Sequence, residues 1–318
     1  MIIPKIFSLA LVCLSYFLPQ LLFAQAPAKP HAIAPASVDI VYGKHSRNRL
    51  DFFPADSETP TPVLIYFHGG GFVAGDKRIA RSRPITKTCL ENGISVVSAN
   101  YRFVFGPESE RFPGSLMDGV RVVQFVRTMA KEWNLDPGRI VLSGGSAGAL
   151  MSLWIALHDD FATPDSADPL AQQSTRVLGV VAYSGPTTVD PDIIVEHVGG
   201  NPKIHPSVFP IFAIKDIAEL DQPEMRKKVE EFSPLSHVSN DDPPLQLRYG
   251  GTLAGTPLPP DTNVGISIHH AKFGDLIVAK YQEVGSQQKV ELVCTDCPHA
   301  KATELEYLLR VFKQSTQK

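Results

Sequence analysis

The chain has no surplus of charge of either sign. Thirty Lys and Arg stand against 33 Asp and Glu in 318 residues, for a net charge of -3 and a pI near 6.4. That balance excludes electrostatic capture of nucleic acid or of an anionic membrane surface as an organising function. Cysteine is scarce, at four residues, so no disulfide framework holds the fold together. No internal repeat is present, which excludes a solenoid or propeller. What remains, with 43% hydrophobic and 20% charged residues, is an ordinary globular chain able to bury a large core.

The one long apolar run lies at the N-terminus. Met1 to Lys5 carries a single positive side chain, Ile6 to Phe23 is mostly apolar, and Ala24-Gln25-Ala26 offers small residues for cleavage. This layout predicts a signal peptide over residues 1–26, a secreted or periplasmic mature chain over 27–318, and no stable membrane insertion after removal. An uncleaved anchor is the competing reading. Cys13 belongs to this segment. Cys294 and Cys297 are the nearest pair among the rest and read as a local staple or two free thiols. A zinc site built from Cys294, Cys297 and His299 lacks an evident fourth ligand, and a haem site is excluded by Pro298 after the second cysteine.

Apolar runs alternate with amphipathic stretches along the remainder. Val38–Tyr42, Leu50–Phe53, Val63–Phe67, Ile94–Ala99, Ile140–Leu142, Leu178–Tyr183, Leu245–Tyr249 and Val290–Val293 read as strands. Most lack strict alternation, which suits parallel strands covered on both faces. Leu116, Val120, Val123, Val126, Ala130 and Trp133 form one helical stripe, and Leu305 to Phe312 another. The pattern predicts an α/β fold with a mostly parallel sheet flanked by helices. Residues 186–244 break the rhythm with many prolines and one charged helical stretch, and are expected to form a cap-like insertion at the sheet's C-terminal edge.

Two glycine clusters follow strands directly. In "LSGGSAGA", Gly144, Ser146 and Gly148 match G-x-S-x-G in the strand–turn–helix context that this motif requires. Such a turn holds a serine in strained backbone geometry at a helix N-terminus, where free N–H groups favour developing negative charge. In "IYFHGGGFVAGD", the glycines after His68 let backbone N–H groups turn inward. Together they predict a nucleophile, Ser146, beside an oxyanion hole of Gly70, Gly71 and Ala147. His68 reads as a structural hydrogen-bonder.

With these motifs the chain resembles the HGGG-bearing carboxylesterases of the α/β-hydrolase fold, a group that includes hormone-sensitive-lipase-like and acetyl- or feruloyl-esterase-like enzymes. "SANYRF", "LDPGRIVLSGGSAGA" and "FSPLSHV" extend the resemblance over the mature chain. It implies acyl transfer through an acyl-enzyme without metal or organic cofactor, on a small-molecule or polysaccharide-linked ester. Chain order Ser, acid, His then selects His299, the one histidine after the last strand, over His269, His270 and the scattered His158, His197, His205 and His237. For the acid, the loop after Leu245–Tyr249 departs from the family's pattern, being longer and rich in proline. Asp261 is the candidate by loop placement, and Asp275 reads as a helix-surface carboxylate. An amidase or peptidase of the same fold is the alternative. A non-catalytic binding module would predict loss of the serine, histidine or glycines, and all are intact.

Overall fold

The computed structural model describes residues 33–105, 111–200, 207–297 and 302–314. Among them runs an eight-stranded sheet: β1 (Ser37–Val41), β2 (Arg49–Phe53), β3 (Thr61–Phe67), β4 (Ser95–Ala99), β5 (Leu135–Gly145), β6 (Gly179–Tyr183), β7 (Leu245–Arg248) and β8 (Val290–Val293). Their spatial order is β1-β2-β4-β3-β5-β6-β7-β8. β2 is antiparallel to β1 and β4, and all later pairings are parallel. Each expected strand is present, most with ends shifted by a residue or two. β5 begins five residues early, at Leu135.

The helices are α1 (Pro84–Glu91), α2 (Gly114–Met129), α3 (Ala147–Leu157), α4 (Pro191–Ile193), α5 (Val208–Phe212), α6 (Pro223–Phe232), α7 (Val264–Ser267), α8 (Lys272–Glu283) and α9 (Glu304–Gln314). Alternation along the strands assigns them to faces. Val63, Ile65 and Phe67 of β3 join a core with Leu142, Val180 and Leu247 beneath α2, α3 and α8. Leu64 and Tyr66 turn the other way and meet Ile85 and Cys89 of α1 and Tyr307, Leu308, Val311 and Phe312 of α9. Both faces are covered, so Val63–Phe67 of β3 and Val180–Tyr183 of β6 are apolar without a break. Each fully buried large side chain contributes roughly 1.5–3 kcal/mol. α3 is buried at every position, which fixes the first turn that carries the serine elbow.

Register brings the site together. Phe67 of β3 lies beside Ala99 of β4 and Gly144 of β5, and Gly145 beside Tyr183 of β6. The strands therefore end on one edge, and the loops leaving them converge there. Within residues 186–244, the described segments hold α4, α5, α6 and no strand. This segment is pinned to the β7–α7 loop: Leu258 donates its N–H to the Val198 carbonyl at 2.9 Å, and Gly200 donates to Leu258 at 2.8 Å. Cys294 and Cys297 are joined in a disulfide with Cα atoms 5.0 Å apart, which removes their thiolates as metal ligands. Cys89 is a free, buried cysteine whose thiol burial pushes up to about 12. Among the described residues no helix is long and apolar enough to cross a membrane.

Candidate active site

Ser146 sits between β5 and α3 with φ 53° and ψ −117°. A non-glycine residue is rarely held there, and the neighbours show what enforces it. A Cβ on Gly144 would lie 2.7 Å from the Phe67 carbonyl oxygen, and one on Gly148 would lie 2.6 Å from the Phe67 carbonyl carbon. Both motif glycines are thus required by the close passage of β3. The Ser146 N–H is fixed by the Tyr183 carbonyl at 2.9 Å, so the turn is tied to β6 as well. No side chain caps α3, and its first residue, Ala147, lines the pocket beside Ser146.

The second glycine loop packs on this elbow. A Cβ on Gly69 would come within 2.8 Å of the Gly145 carbonyl oxygen. Gly70 has φ +113° and Gly71 φ +59°, both conformations that suit glycine. The Gly70 carbonyl accepts the N–H groups of Val73 and Ala74, each at 3.0 Å, while the N–H groups of Gly70 and Gly71 donate to none of the described residues. Gly71 and Ala147 line the pocket with Ser146.

His68 supports this loop from behind. Its ring is buried and stacked on Tyr101 with centroids 4.3 Å apart. Nδ1 bonds the Gly69 carbonyl at 2.8 Å, and the Arg47 guanidinium reaches Nε2 at 3.3 Å. Because a carbonyl only accepts, Nδ1 carries the proton and Nε2 is the acceptor. Burial pushes the His68 pKa down to about 4, so the ring is neutral near pH 7. "NYRF" serves the same support: the Tyr101 hydroxyl donates to the His68 carbonyl at 2.7 Å, and Asn100 accepts the Lys77 N–H at 2.7 Å.

The group that touches Ser146 is His269. Its Nε2 lies 2.9 Å from Ser146 Oγ, and its Nδ1 lies 2.8 Å from the Gly265 carbonyl oxygen. By the same reasoning Nδ1 bears the hydrogen and Nε2 is free to accept the serine proton, the tautomer that a general base needs. Asn263 caps α7: its side chain accepts the Gly265 N–H at 2.8 Å and its carbonyl accepts the Ile266 N–H at 2.9 Å, the latter on the peptide whose carbonyl orients the ring. Its neighbour His270 turns away into the core, where its Nδ1 accepts the Lys272 N–H at 3.1 Å.

Ser146, Gly71 and Ala147 therefore come together as the sequence suggests. Asp261 is exposed in the loop before α7, and its carboxylate bonds no described residue, His269 included. His299 lies outside the described residues. Asp275 is on the first turn of α8, paired with Lys272 at 2.7 Å, as a helix-surface carboxylate should be. Sequence reasoning passed over His269 because it relied on chain order. The available signal was the adjacent pair of histidines closing the long, Pro-rich loop where the expected acid pattern fails.

The pocket over Ser146 encloses about 690 Å³, counting its solvent-open part. Its wall is almost wholly apolar: Leu150, Val189 and Ile194 are joined by Val208, Ile211 and Phe232. Most of these come from the segment 186–244.

A serine on a strained strand–helix elbow, inside this strand order, defines an α/β-hydrolase fold. The BD-FAE family model matches residues 50–252, and the chain belongs to that family. Among curated relatives, it is 27% identical over 216 residues to the probable carboxylic ester hydrolase LipM of Mycobacterium tuberculosis, covering 67% of this chain and 47% of that one. It is 35% identical over 149 residues to versiconal hemiacetal acetate esterase of Aspergillus parasiticus, 46% of this chain and 41% of that one. The chain thus spans about half the length of the curated relatives it matches. Among solved structures, a truncated carbohydrate esterase from gut microbiota superimposes with TM-score 0.67 at 18% identity, covering 91% of this chain and 99% of that one. An acetyl ester-xyloside bifunctional hydrolase from Caldicellulosiruptor lactoaceticus gives 0.63 at 20% identity, with 90% and 97% covered.

Proposed function

We propose that the protein is a secreted serine carboxylic-ester hydrolase acting through an acyl-enzyme. The observation that carries this reading is the 2.9 Å contact between His269 Nε2 and Ser146 Oγ on a strained elbow. Ser146 Oγ attacks the ester carbonyl as its proton passes to His269 Nε2. The oxyanion forms against the N–H groups of Gly70, Gly71 and Ala147, donors that need no reorganisation. His269 returns the proton to the leaving alkoxide, and a water activated by the same imidazole then releases the acid. The Gly265 carbonyl takes the orienting place that the sequence reading gave to Asp261. A neutral carbonyl stabilises an imidazolium less than a carboxylate does. We assign the base to His269 because, among the described residues, it is the histidine in contact with Ser146.

The apolar wall supports short, uncharged acyl groups. Esters on polysaccharide, acetyl or feruloyl, agree with the names of the carbohydrate and acetyl ester relatives and with the signal-peptide layout of residues 1–26. Hydrolysis of p-nitrophenyl acetate, butyrate and octanoate by the mature protein, beside Ser146→Ala, tests the proposal. Activity lost in the variant and falling towards octanoate is expected. Equal inertness of both proteins would move an amidase reading forward.

A further inference from the structure

Away from the serine, the C-terminal end of α3 meets the C-terminal end of α6. His158 follows α3, Glu231 lies in the last turn of α6, and His237 ends the turn after it. A ring nitrogen of each histidine and a carboxylate oxygen of Glu231 all lie within 4.8 Å of one another, and all three residues are half-buried. His158 Nε2 and Glu231 Oε1 are 3.2 Å apart. Ligand atoms about 2.0–2.1 Å from a tetrahedral zinc stand about 3.3 Å from each other, so this pair already has the spacing of one tetrahedral edge. The two imidazoles lie against each other with centroids 4.7 Å apart and a 40° tilt.

The surroundings restrain the rings as a metal site requires. The Glu231 carbonyl accepts the Trp154 indole N–H at 2.7 Å and contacts His237 Nε2 at 2.8 Å. His158 is stacked on Phe161 at 4.4 Å and packs on Trp154 at 5.0 Å. Two imidazoles and one carboxylate suit a zinc-like divalent transition cation and leave a position for water.

We propose that His158, Glu231 and His237 form a binding site for a zinc-like divalent cation, separate from the esterase chemistry. Its consequence is mechanical. α3 carries Ser146 at its other end, while Phe232, next to Glu231, lines the acyl pocket. A bound cation clamps the pocket's roof segment to the core helix.

Trp154 gives a direct readout, because the chain has two tryptophans and Trp133 packs elsewhere, against Phe52 and Phe125. Untagged full-length protein, stripped with chelator and carrying Trp133→Phe, is titrated with Zn²⁺ by calorimetry and with Cu²⁺ by fluorescence quenching. One saturable site is expected, with quenching of Trp154 and a rise in Tm on adding Zn²⁺. Glu231→Gln and His237→Ala should each weaken binding by at least about ten-fold, since even an outer-sphere partner is worth about that much. Glu231→Gln keeps a side chain able to hydrogen-bond and is half exposed, so it should fold normally. Ser146→Ala should bind Zn²⁺ like the parent. Absence of a saturable site, or binding in both ligand variants as tight as in the parent, would overturn the proposal and leave a hydrogen-bonded cluster.

Discussion

Replacing His269 by Ala removes the one base in contact with Ser146 among the described residues and leaves the oxyanion donors in place. A positioned general base contributes about 10²–10⁴ in rate. At about 1.36 kcal/mol for each factor of ten, the loss corresponds to about 3–5 kcal/mol of transition-state stabilisation. His269 is half-buried on the loop between α7 and α8, and among the described residues its ring bonds Ser146 and Gly265. The fold should therefore survive, with Tm nearly unchanged. The assay is kcat and kcat/KM on p-nitrophenyl butyrate for His269→Ala, His299→Ala, the double variant and Asp261→Asn. His269→Ala should lose kcat by the stated factor at similar KM, and Asp261→Asn should change it by less than about three-fold. A His299→Ala enzyme reduced by more than about 10², beside a His269→Ala enzyme within ten-fold of the parent, would refute the assignment and restore the order-based reading.

Other outcomes follow from the same contacts. Gly70→Ala puts a Cβ 2.6 Å from the Ala74 carbonyl carbon at φ +113°, so kcat should fall by about 10²–10³, measured beside an unchanged far-ultraviolet spectrum. Asn263→Ala removes the side-chain cap on the first turn of α7, which carries Gly265; about 1 kcal/mol of local stability is lost and kcat should fall while KM holds, read in steady-state assays. Ile211→Ala opens the acyl wall and should shift preference from acetyl towards octanoyl esters in the p-nitrophenyl series. His68 has a folded pKa of about 4 against an ordinary value near 6.5, so the unfolded chain binds more protons between those limits. Its contribution is fully present above pH 6.5 and is lost as pH falls through 4. Urea unfolding across that window should show a steeper acid limb for the parent than for His68→Gln.

The strands were legible because both faces of the sheet are covered. Val63–Phe67 is an apolar run that packs in two directions, and a run of that kind marks its own length. The elbow was legible for a steric reason: β3 passes so close that Gly144 and Gly148 cannot carry a Cβ, so the constraint is written directly as glycine. The early start of β5 was hidden by Pro137 and Gly138, which read as a turn although Leu135 already pairs with Thr61. The histidine that contacts Ser146 was the least legible part. A histidine's role depends on where a long loop carries it, and residues 250–263 bear no periodic signal. Pinning by Leu258 to Val198 and Gly200 positions that loop, and these are backbone bonds that no side-chain pattern records.

The most direct test of the central claim is covalent trapping of the nucleophile. Mature protein is incubated with a fluorophosphonate, digested and mapped by mass spectrometry, with Ser146→Ala and His269→Ala alongside. One adduct on the peptide containing Ser146 is expected, absent from Ser146→Ala and formed far more slowly in His269→Ala. An adduct on another residue, or none in the parent, would contradict the account.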